Sequence, residues 1–350
     1  MTSTGTMPDD SVVATAKPPL LTFCIMAFNQ EQFVETAMRA AFAQTYENLE
    51  IIVSDDGSSD GTMRRMQAVA ATYEGPHRLL VRRSPTNRGI LHHLLDIAEL
   101  ASGRLLIVSA ADDVSLPQRT EAMATVWSRR PYAAAFADYA VIDDGGTVIQ
   151  DHYRFDDSGF SPQDYIPEAE GINIHGASSV YDIVQLKALG RPRNDEMVLF
   201  EDTWLGLAFA SLGARIAHVP DVLVQYRRHS GALTNFESVA GTDREAIERA
   251  DREWQRRSAA FGTTLASFRT WHGRQAEGVF PLSSRLDRDI TYFDRVGRWS
   301  DLSTSSQLMT LRFASRRSMK SAVGLRVLPV IIRNHLKKLQ IYLAEGTSIK

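Results

Sequence analysis

A single cysteine, Cys24, stands in 350 residues, which excludes an internal disulfide framework. It lies inside an apolar run, residues 20–26, where a thiol reads as a buried core group rather than a nucleophile. Such sparing use of cysteine suits a reducing compartment. No stretch reaches the ~20 apolar residues that a membrane-spanning helix needs. No basic start followed by an apolar core opens the chain. Residues 1–19 are polar, carry Asp9 and Asp10 and end on Pro18-Pro19. They read as a disordered leader, not a secretory signal, and the expected location is the cytoplasm. No G-x-G-x-x-G follows any predicted strand, which argues against a dehydrogenase. Internal repeats and low-complexity tracts are missing too, and nucleic acid is not expected among the partners.

What is present is a normal globular composition, 44% hydrophobic, enough for one large α/β domain with an appendage. The net charge of −3 hides an asymmetry. Residues 312–350 hold nine basic side chains and one acid, Glu345, or +8; the other 311 residues hold 30 bases and 41 acids, or −11. A basic tail on an acidic body points to an anionic partner for the tail. Within it, Leu325, Leu328, Ile332, Leu336, Leu339 and Leu343 recur at spacings of three and four, with Arg326, Arg333, Lys337 and Lys338 largely between them. A basic amphipathic helix of this kind either lies on an anionic membrane, at the inner face of the plasma membrane, or packs on the rest of the protein.

Residues 20–26, 49–54, 78–82 and 104–109 are apolar, strand-like runs separated by helical stretches. Asn29 is placed to cap the first of these helices. This alternation predicts a doubly wound, mostly parallel sheet. A helix over 117–130 and a strand over 133–142 continue it, and Asp143-Asp-Gly-Gly146 reads as a hairpin turn. Residues 151–173 are expected to form a long loop over the site, 201–212 a helix, and 215–219 and 222–227 two short strands; beyond about residue 242 the pattern turns helical. The expected division is a leader over 1–19, a sheet domain over 20–240 and a helical region over 241–350 with the basic tail.

In open α/β sheets ligands bind outside the carboxyl ends of the strands. Asn29, Asp55-Asp56, Asn87-Arg88 and Asp112-Asp113 each follow a strand directly, so all four project onto one edge. Asp112-Asp113 suits a hard cation such as Mn²⁺ or Mg²⁺, which commonly also holds substrate phosphates; alone, such a pair is more often a solvated turn or helix start, and its place in a series of strand-end clusters favours the cation. A carboxylate of Asp55-Asp56 can accept from the N–H of a base, with Gly57 allowing close approach, or the three form an ordinary turn. Ala27, Phe28 and Asn29 occupy the neighbouring strand end, where Phe28 is either a platform for the base or a core residue. Arg88 can meet a phosphate. Glu201-Asp202 opens a helix, and one of them can act as general base toward a hydroxyl. His175-Gly-Ala-Ser-Ser179 reads either as part of an acceptor pocket or as a structural turn.

Taken in order, residues 22–29, 44–62, 87–89 and 111–117, with Glu201-Asp202 and Tyr226-Arg-Arg-His-Ser230 later, resemble the family 2 glycosyltransferases of the GT-A fold. The resemblance covers about residues 20–235. It implies an inverting, metal-dependent sugar transfer from a nucleoside-diphosphate sugar to a hydroxyl of a glycan or lipid-linked acceptor, in bacterial surface polysaccharide synthesis. By the same resemblance Asp56 contacts the base, Asp112 the ribose or the metal, and Asp113 the metal. His229 lies near the metal and diphosphate, and Asp202 is the catalytic base, with Asp55 and Glu201 as supports. Two departures stand out. Ala110 and Ala111 replace the polar or acidic residue common before the Asp pair, and Phe28 replaces a common Tyr. Two other readings compete: a sugar nucleotidyltransferase, which would want a Gly-rich basic loop where Ala27-Phe-Asn-Gln30 stands, and a non-catalytic sugar-nucleotide-binding assembly subunit. Oligomeric state is left open.

Overall fold

The computed structural model describes residues 17–153, 161–170, 172–193, 198–229, 244–275, 277–303 and 306. Most of the expected leader (1–16) and the whole basic tail over 312–350, with its amphipathic stretch, lie outside the described residues.

Four strands, β1 (Leu21–Ala27), β2 (Leu49–Asp55), β3 (Arg78–Arg83) and β4 (Leu105–Ala110), pair in parallel in the order β3-β2-β1-β4. They are linked by α1 (Val34–Phe42), α2 (Thr62–Ala70) and α3 (Ile90–Leu100). The continuous apolar runs follow from burial on both faces. Successive side chains point to opposite sides: Leu21, Phe23 and Ile25 join a core with α1 and α2, whereas Cys24, Ile52, Leu106 and Val108 join a second core with α3. Burial pushes the Cys24 thiol up to about 12, as befits a core group.

Beyond β4 come β5 (Val114–Ser115), α4 (Arg119–Arg129), β6 (Ala134–Ile142), β7 (Val148–Tyr153), β8 (Val180–Asp182), α5 (Ile183–Ala188), α6 (Glu201–Ser211) and β9 (Ile216–Arg227). β8 inserts antiparallel between β4 and β6, and β9 runs parallel to β6. The sheet thus stays mostly parallel with antiparallel additions. β6 and β7 form the hairpin expected at Asp143–Gly146, closed by Asp143 N–H donating to Thr147 O at 2.9 Å.

Two expectations change. Residues 216–227 form one strand, not two short ones. Pro220 falls where the register slips, with Val219 opposite Ala137 and Val222 opposite Asp138, and an irregular step tolerates a residue without an N–H. Of the loop expected over 151–173, residues 154–160 and 171 lie outside the described residues and 151–153 end β7, whereas 161–170 and 172–173 are packed down. Tyr165, Ile166, Ala169 and Ile174 are buried in the second core, Tyr165 Oη donates to Asp289 Oδ2 at 3.1 Å and Arg285 pairs with Asp164 at 2.6 Å.

The helical region continues as α7 (Arg244–His272) and α8 (Arg285–Gly297), which share the second core with α3, α5 and α6. Trp204 and Trp271 meet edge-on at 5.3 Å, and Trp271 Nε1 donates to Leu189 O at 2.8 Å. Burying Phe261 and Phe268 there contributes about 1.5–3 kcal/mol each. None of the described helices is long and apolar enough to cross a membrane.

Candidate functional site

Parallel pairing of β1, β2 and β4 brings their carboxyl ends together: Ala27 lies opposite Asp55, and Met26 opposite Ala110. The ladder runs on past the strands, with Asp56 N–H donating to Ala27 O at 2.8 Å and Ala111 N–H to Met26 O at 3.0 Å. Ala27 is buried and contributes its carbonyl. Phe28, one residue on, is 43% exposed, so the core reading for it is replaced by a ring held out on the edge. Asn29 does not cap α1, whose first turn is preceded by Phe33. It takes a left-handed φ of 53° instead. Its N–H donates to Ser58 Oγ (2.8 Å) and its Oδ1 accepts from Ser59 N (2.9 Å), which ties the first strand's loop to the second's.

Asp55 is fully buried and spent on that second loop. It accepts from Ser58 N–H at 3.2 Å and from the Ser58 hydroxyl, and pairs with Arg83 Nε at 3.2 Å. Asp56 turns the other way, to the N-terminus of α3. Its carboxylate accepts from Arg88 N at 3.0 Å and Gly89 N at 3.1 Å, where the helix favours negative charge. Burial nonetheless raises its pKa above the ordinary carboxylate value. Gly57 makes the approach possible: its φ is +77°, and a Cβ there would sit 2.9 Å from the Thr86 carbonyl carbon. The Arg88 side chain leans to Asp96 (3.6 Å), which also holds Arg191 at 2.6 Å.

Asp112 and Asp113 close the end of β4. Asp112 Oδ2 accepts from Gln30 Nε2 at 3.2 Å and meets His229 Nε2 at 3.0 Å. Asp113 Oδ1 accepts from Arg227 N at 2.9 Å, but its Oδ2 is buried with no hydrogen-bond partner. Burial, followed by the Asp112 charge, holds the Asp113 carboxyl well above the usual range. Arg227 locks the segment down, donating to Asp112 O, Asp143 O and Asp144 O at 2.8–2.9 Å and lying over the Phe33 ring at 4.9 Å. Phe33 also touches the His229 ring, at 4.7 Å. Among the described residues no three His, Cys, Asp or Glu side chains form a ready-made metal cage. The donor set still fits a hard cation: one orphaned carboxylate oxygen, a second carboxylate beside it and an imidazole. Mg²⁺ and Mn²⁺ are commonly held by one or two carboxylates and complete their shells with phosphate and water.

Glu201 and Asp202 open α6 on the other side of β4. Gly176 N donates to Asp202 Oδ2 at 3.3 Å and Thr203 N to Oδ1 at 2.7 Å. Burial and then the Asp202 charge push Glu201 up to about 8, and burial raises Asp202 as well. The turn 176–178 carries this carboxylate pair to the sheet. Ser178 Oγ donates to Ala137 O at 2.7 Å, and Val108 N to Ser179 O at 3.1 Å. The structure therefore joins Asp112 to His229 and Asp56 to the Arg88 backbone, and sets Asp202 beside the His175–Ser179 turn.

Several groups escape a reading of the sequence. Arg119, fully buried, donates to Ser115 Oγ, Val108 O and Ser179 O at 2.8, 2.7 and 3.2 Å, stitching the Asp112–Asp113 loop to the 176–179 turn. Asp138, also buried, is held between His152 and His218 at 2.7 Å each. Gln30 had only its place beside Asn29 as a signal. Arg227 lay within the Tyr-Arg-Arg-His-Ser segment, which flagged it without a role.

Similar proteins agree with this architecture. An uncharacterized glycosyltransferase of Haemophilus influenzae is 24% identical over 223 residues, 62% of this chain and 68% of its own length. The mannosyltransferase PcManGT of Pyrobaculum calidifontis, solved with GDP-Man and Mn²⁺, superposes with a TM-score of 0.52 at 16% identity, over 94% of this chain and 90% of that one. S. aureus TarS 1–349, solved with UDP, gives 0.52 at 13% identity, over 95% and 93%. These structures share the GT-A type fold. Residues 22–190 match the model of glycosyl transferase family 2, and together these comparisons support a family 2 glycosyltransferase, an enzyme that transfers sugar.

Proposed function

We propose that this enzyme is a metal-dependent, inverting transferase that moves a sugar from a nucleoside-diphosphate donor to a hydroxyl of a glycan or lipid-linked acceptor, in surface polysaccharide synthesis. The observation that carries the reading is Asp113 Oδ2, a buried carboxylate oxygen at a strand end with no partner in the protein. Buried polar atoms are nearly always satisfied, so an exception at such an edge marks a ligand position. PcManGT with GDP-Man and Mn²⁺ and TarS with UDP support a nucleotide and a cation without favouring one base.

In this reading Asp113, with Asp112 and His229 beside it, holds Mn²⁺ or Mg²⁺. A bound cation supplies positive charge to compensate the departing diphosphate. Phe28 stacks under the base, Asp56 and Asn29 fix the nucleoside, and Arg88 serves the phosphates. Asp202 takes the proton of the acceptor hydroxyl. That oxygen then bonds to the anomeric carbon as the bond to the diphosphate breaks on the opposite face, which inverts the centre. Glu201 keeps its own proton near neutral pH and leaves the charge on Asp202.

The test is release of nucleoside diphosphate from UDP-, GDP- and dTDP-sugars in Mn²⁺, Mg²⁺ or EDTA, for wild type and Asp113→Asn. Turnover is expected to need the cation and to drop at least about 100-fold in the variant, the loss of about 2.7 kcal/mol of transition-state stabilisation. Full turnover in EDTA, or an unchanged cation response in Asp113→Asn, would overturn the assignment.

A further inference from the structure

We propose that Tyr139, Tyr153, His175 and Tyr226 form an aromatic floor for a pyranose ring of the acceptor, so that the acceptor end seen by this enzyme is a carbohydrate. The inference rests on the transferase reading above and names its second substrate. Four rings from four separate segments meet here. Tyr139 of β6 stacks on His175 at 4.3 Å and 11°, and on Tyr153 of β7 at 4.9 Å and 12°. Tyr226 of β9 leans on Tyr139 at 5.4 Å and meets His175 edge-on at 6.0 Å. Tyr139 is buried at the centre, and Tyr153, His175 and Tyr226 are half-buried residues around it. The Tyr139, Tyr153 and Tyr226 rings, with Val141 and Val224, form a small cluster separate from the two cores that hold the sheet together.

Position gives the cluster its role. His175 directly precedes Gly176, whose N–H donates to the Asp202 carboxylate. Tyr226 directly precedes Arg227, whose N–H donates to the Asp113 carboxylate. The floor is therefore tied through the neighbouring Gly176 backbone to the group assigned to proton removal, and through the neighbouring Arg227 backbone to the group assigned to the cation. A hydroxyl attacking a donor held at Asp113 must lie between those two points.

The chemistry agrees. Burial lowers the His175 pKa to about 4, so near neutral pH its imidazole is an uncharged ring, with Nδ1 3.1 Å from Ser178 Oγ. Aromatic faces are electron-rich and attract positive edges. The C–H bonds on one face of a pyranose present such an edge, while phenol hydroxyls at the rim can bond the sugar's hydroxyls.

Saturation-transfer NMR on the full chain tests this, with methyl β-D-glucopyranoside, methyl β-D-galactopyranoside and methyl α-D-mannopyranoside as probes and glycerol as a polyol without a ring. At least one pyranoside should receive saturation at its ring C–H protons, and glycerol none. Tyr153→Leu, which keeps bulk and removes the ring, should weaken that pyranoside at least about tenfold, and Tyr153→Phe should restore it. Thermal shift by UDP or GDP with Mn²⁺ checks the donor side in each variant. No saturation of any pyranoside, or equal binding in Tyr153→Leu and wild type, would overturn the floor. Pyranoside binding without nucleoside diphosphate release from any donor would leave the floor standing and sink the transferase reading instead.

Discussion

Replacing Glu201 with Gln should stabilise the protein, and by an amount that grows with pH. In the folded chain the Glu201 carboxyl is pushed from 4.5 up to about 8 by burial and by Asp202. Once unfolded it reverts to an ordinary carboxyl. Between those two values the folded state keeps a proton that the unfolded state has lost, so stability is full below about 4.5 and declines as pH rises toward 8. Each pH unit across that window costs about 1.4 kcal/mol, which sums to about 5 kcal/mol. Partial solvent access and proton sharing with Asp202 reduce the expected figure to about 2–4 kcal/mol. Gln keeps the shape and removes the titration. Urea unfolding at pH 5, 6, 7 and 8 should give nearly equal stabilities for Glu201→Gln and wild type at pH 5. The variant should gain an advantage that opens to about 2–4 kcal/mol by pH 8. A gap that stays constant, or closes as pH rises, would refute the assignment of the proton to Glu201. Burial of both side chains and their proximity disfavour two negative charges at this pair.

Two further substitutions probe the scaffold of the site. A Cβ at Gly176 would lie 2.6 Å from Glu201 Oε1 and 3.5 Å from Asp202 Oδ2; Gly176→Ala should displace the carboxylates and lower kcat about 10–100-fold in a coupled nucleotide-release assay, with nucleotide binding retained. Arg119→Met removes a buried cation and the side-chain donors to Ser115 Oγ, Val108 O and Ser179 O; a loss of about 3–5 kcal/mol is expected, read as a fall in Tm of about 4–7 °C by calorimetry.

The placement of the acidic pairs was legible because a parallel, doubly wound sheet leaves a strong trace: apolar runs that stop at polar clusters. Asp55-Asp56 and Asp112-Asp113 fall at strand ends for that reason. Their division of labour came from the family resemblance and has no trace in the local pattern. Asp55 faces Arg83 and its own loop, whereas Asp56, one residue on, faces the α3 N-terminus, and only the fold of the Gly57 turn separates them. Asn29 reads as a helix cap, yet its left-handed backbone turns it to Ser58 and Ser59, 29 and 30 residues away. The sequence around Pro220 signals a break because proline cannot donate, but a register slip absorbs it. The polar stretch over 151–173 reads as a loop over the site; in its described part the few apolar residues, Tyr165 and Ile166 above all, enter the core instead. The contacts of Arg119, the Asp138 pair of histidines and the aromatic cluster join segments far apart in the chain, and nothing local announces them.

Turnover by Asp202→Asn tests the central claim most directly. Nucleoside diphosphate release should be measured for wild type and variant with the preferred donor, Mn²⁺ and a glycan acceptor, from pH 6 to 9. Loss of the base should lower kcat about 10²–10⁴-fold while the thermal shift produced by nucleotide and Mn²⁺ is retained. Turnover by Asp202→Asn within about threefold of wild type, which corresponds to less than 0.7 kcal/mol, would contradict the account.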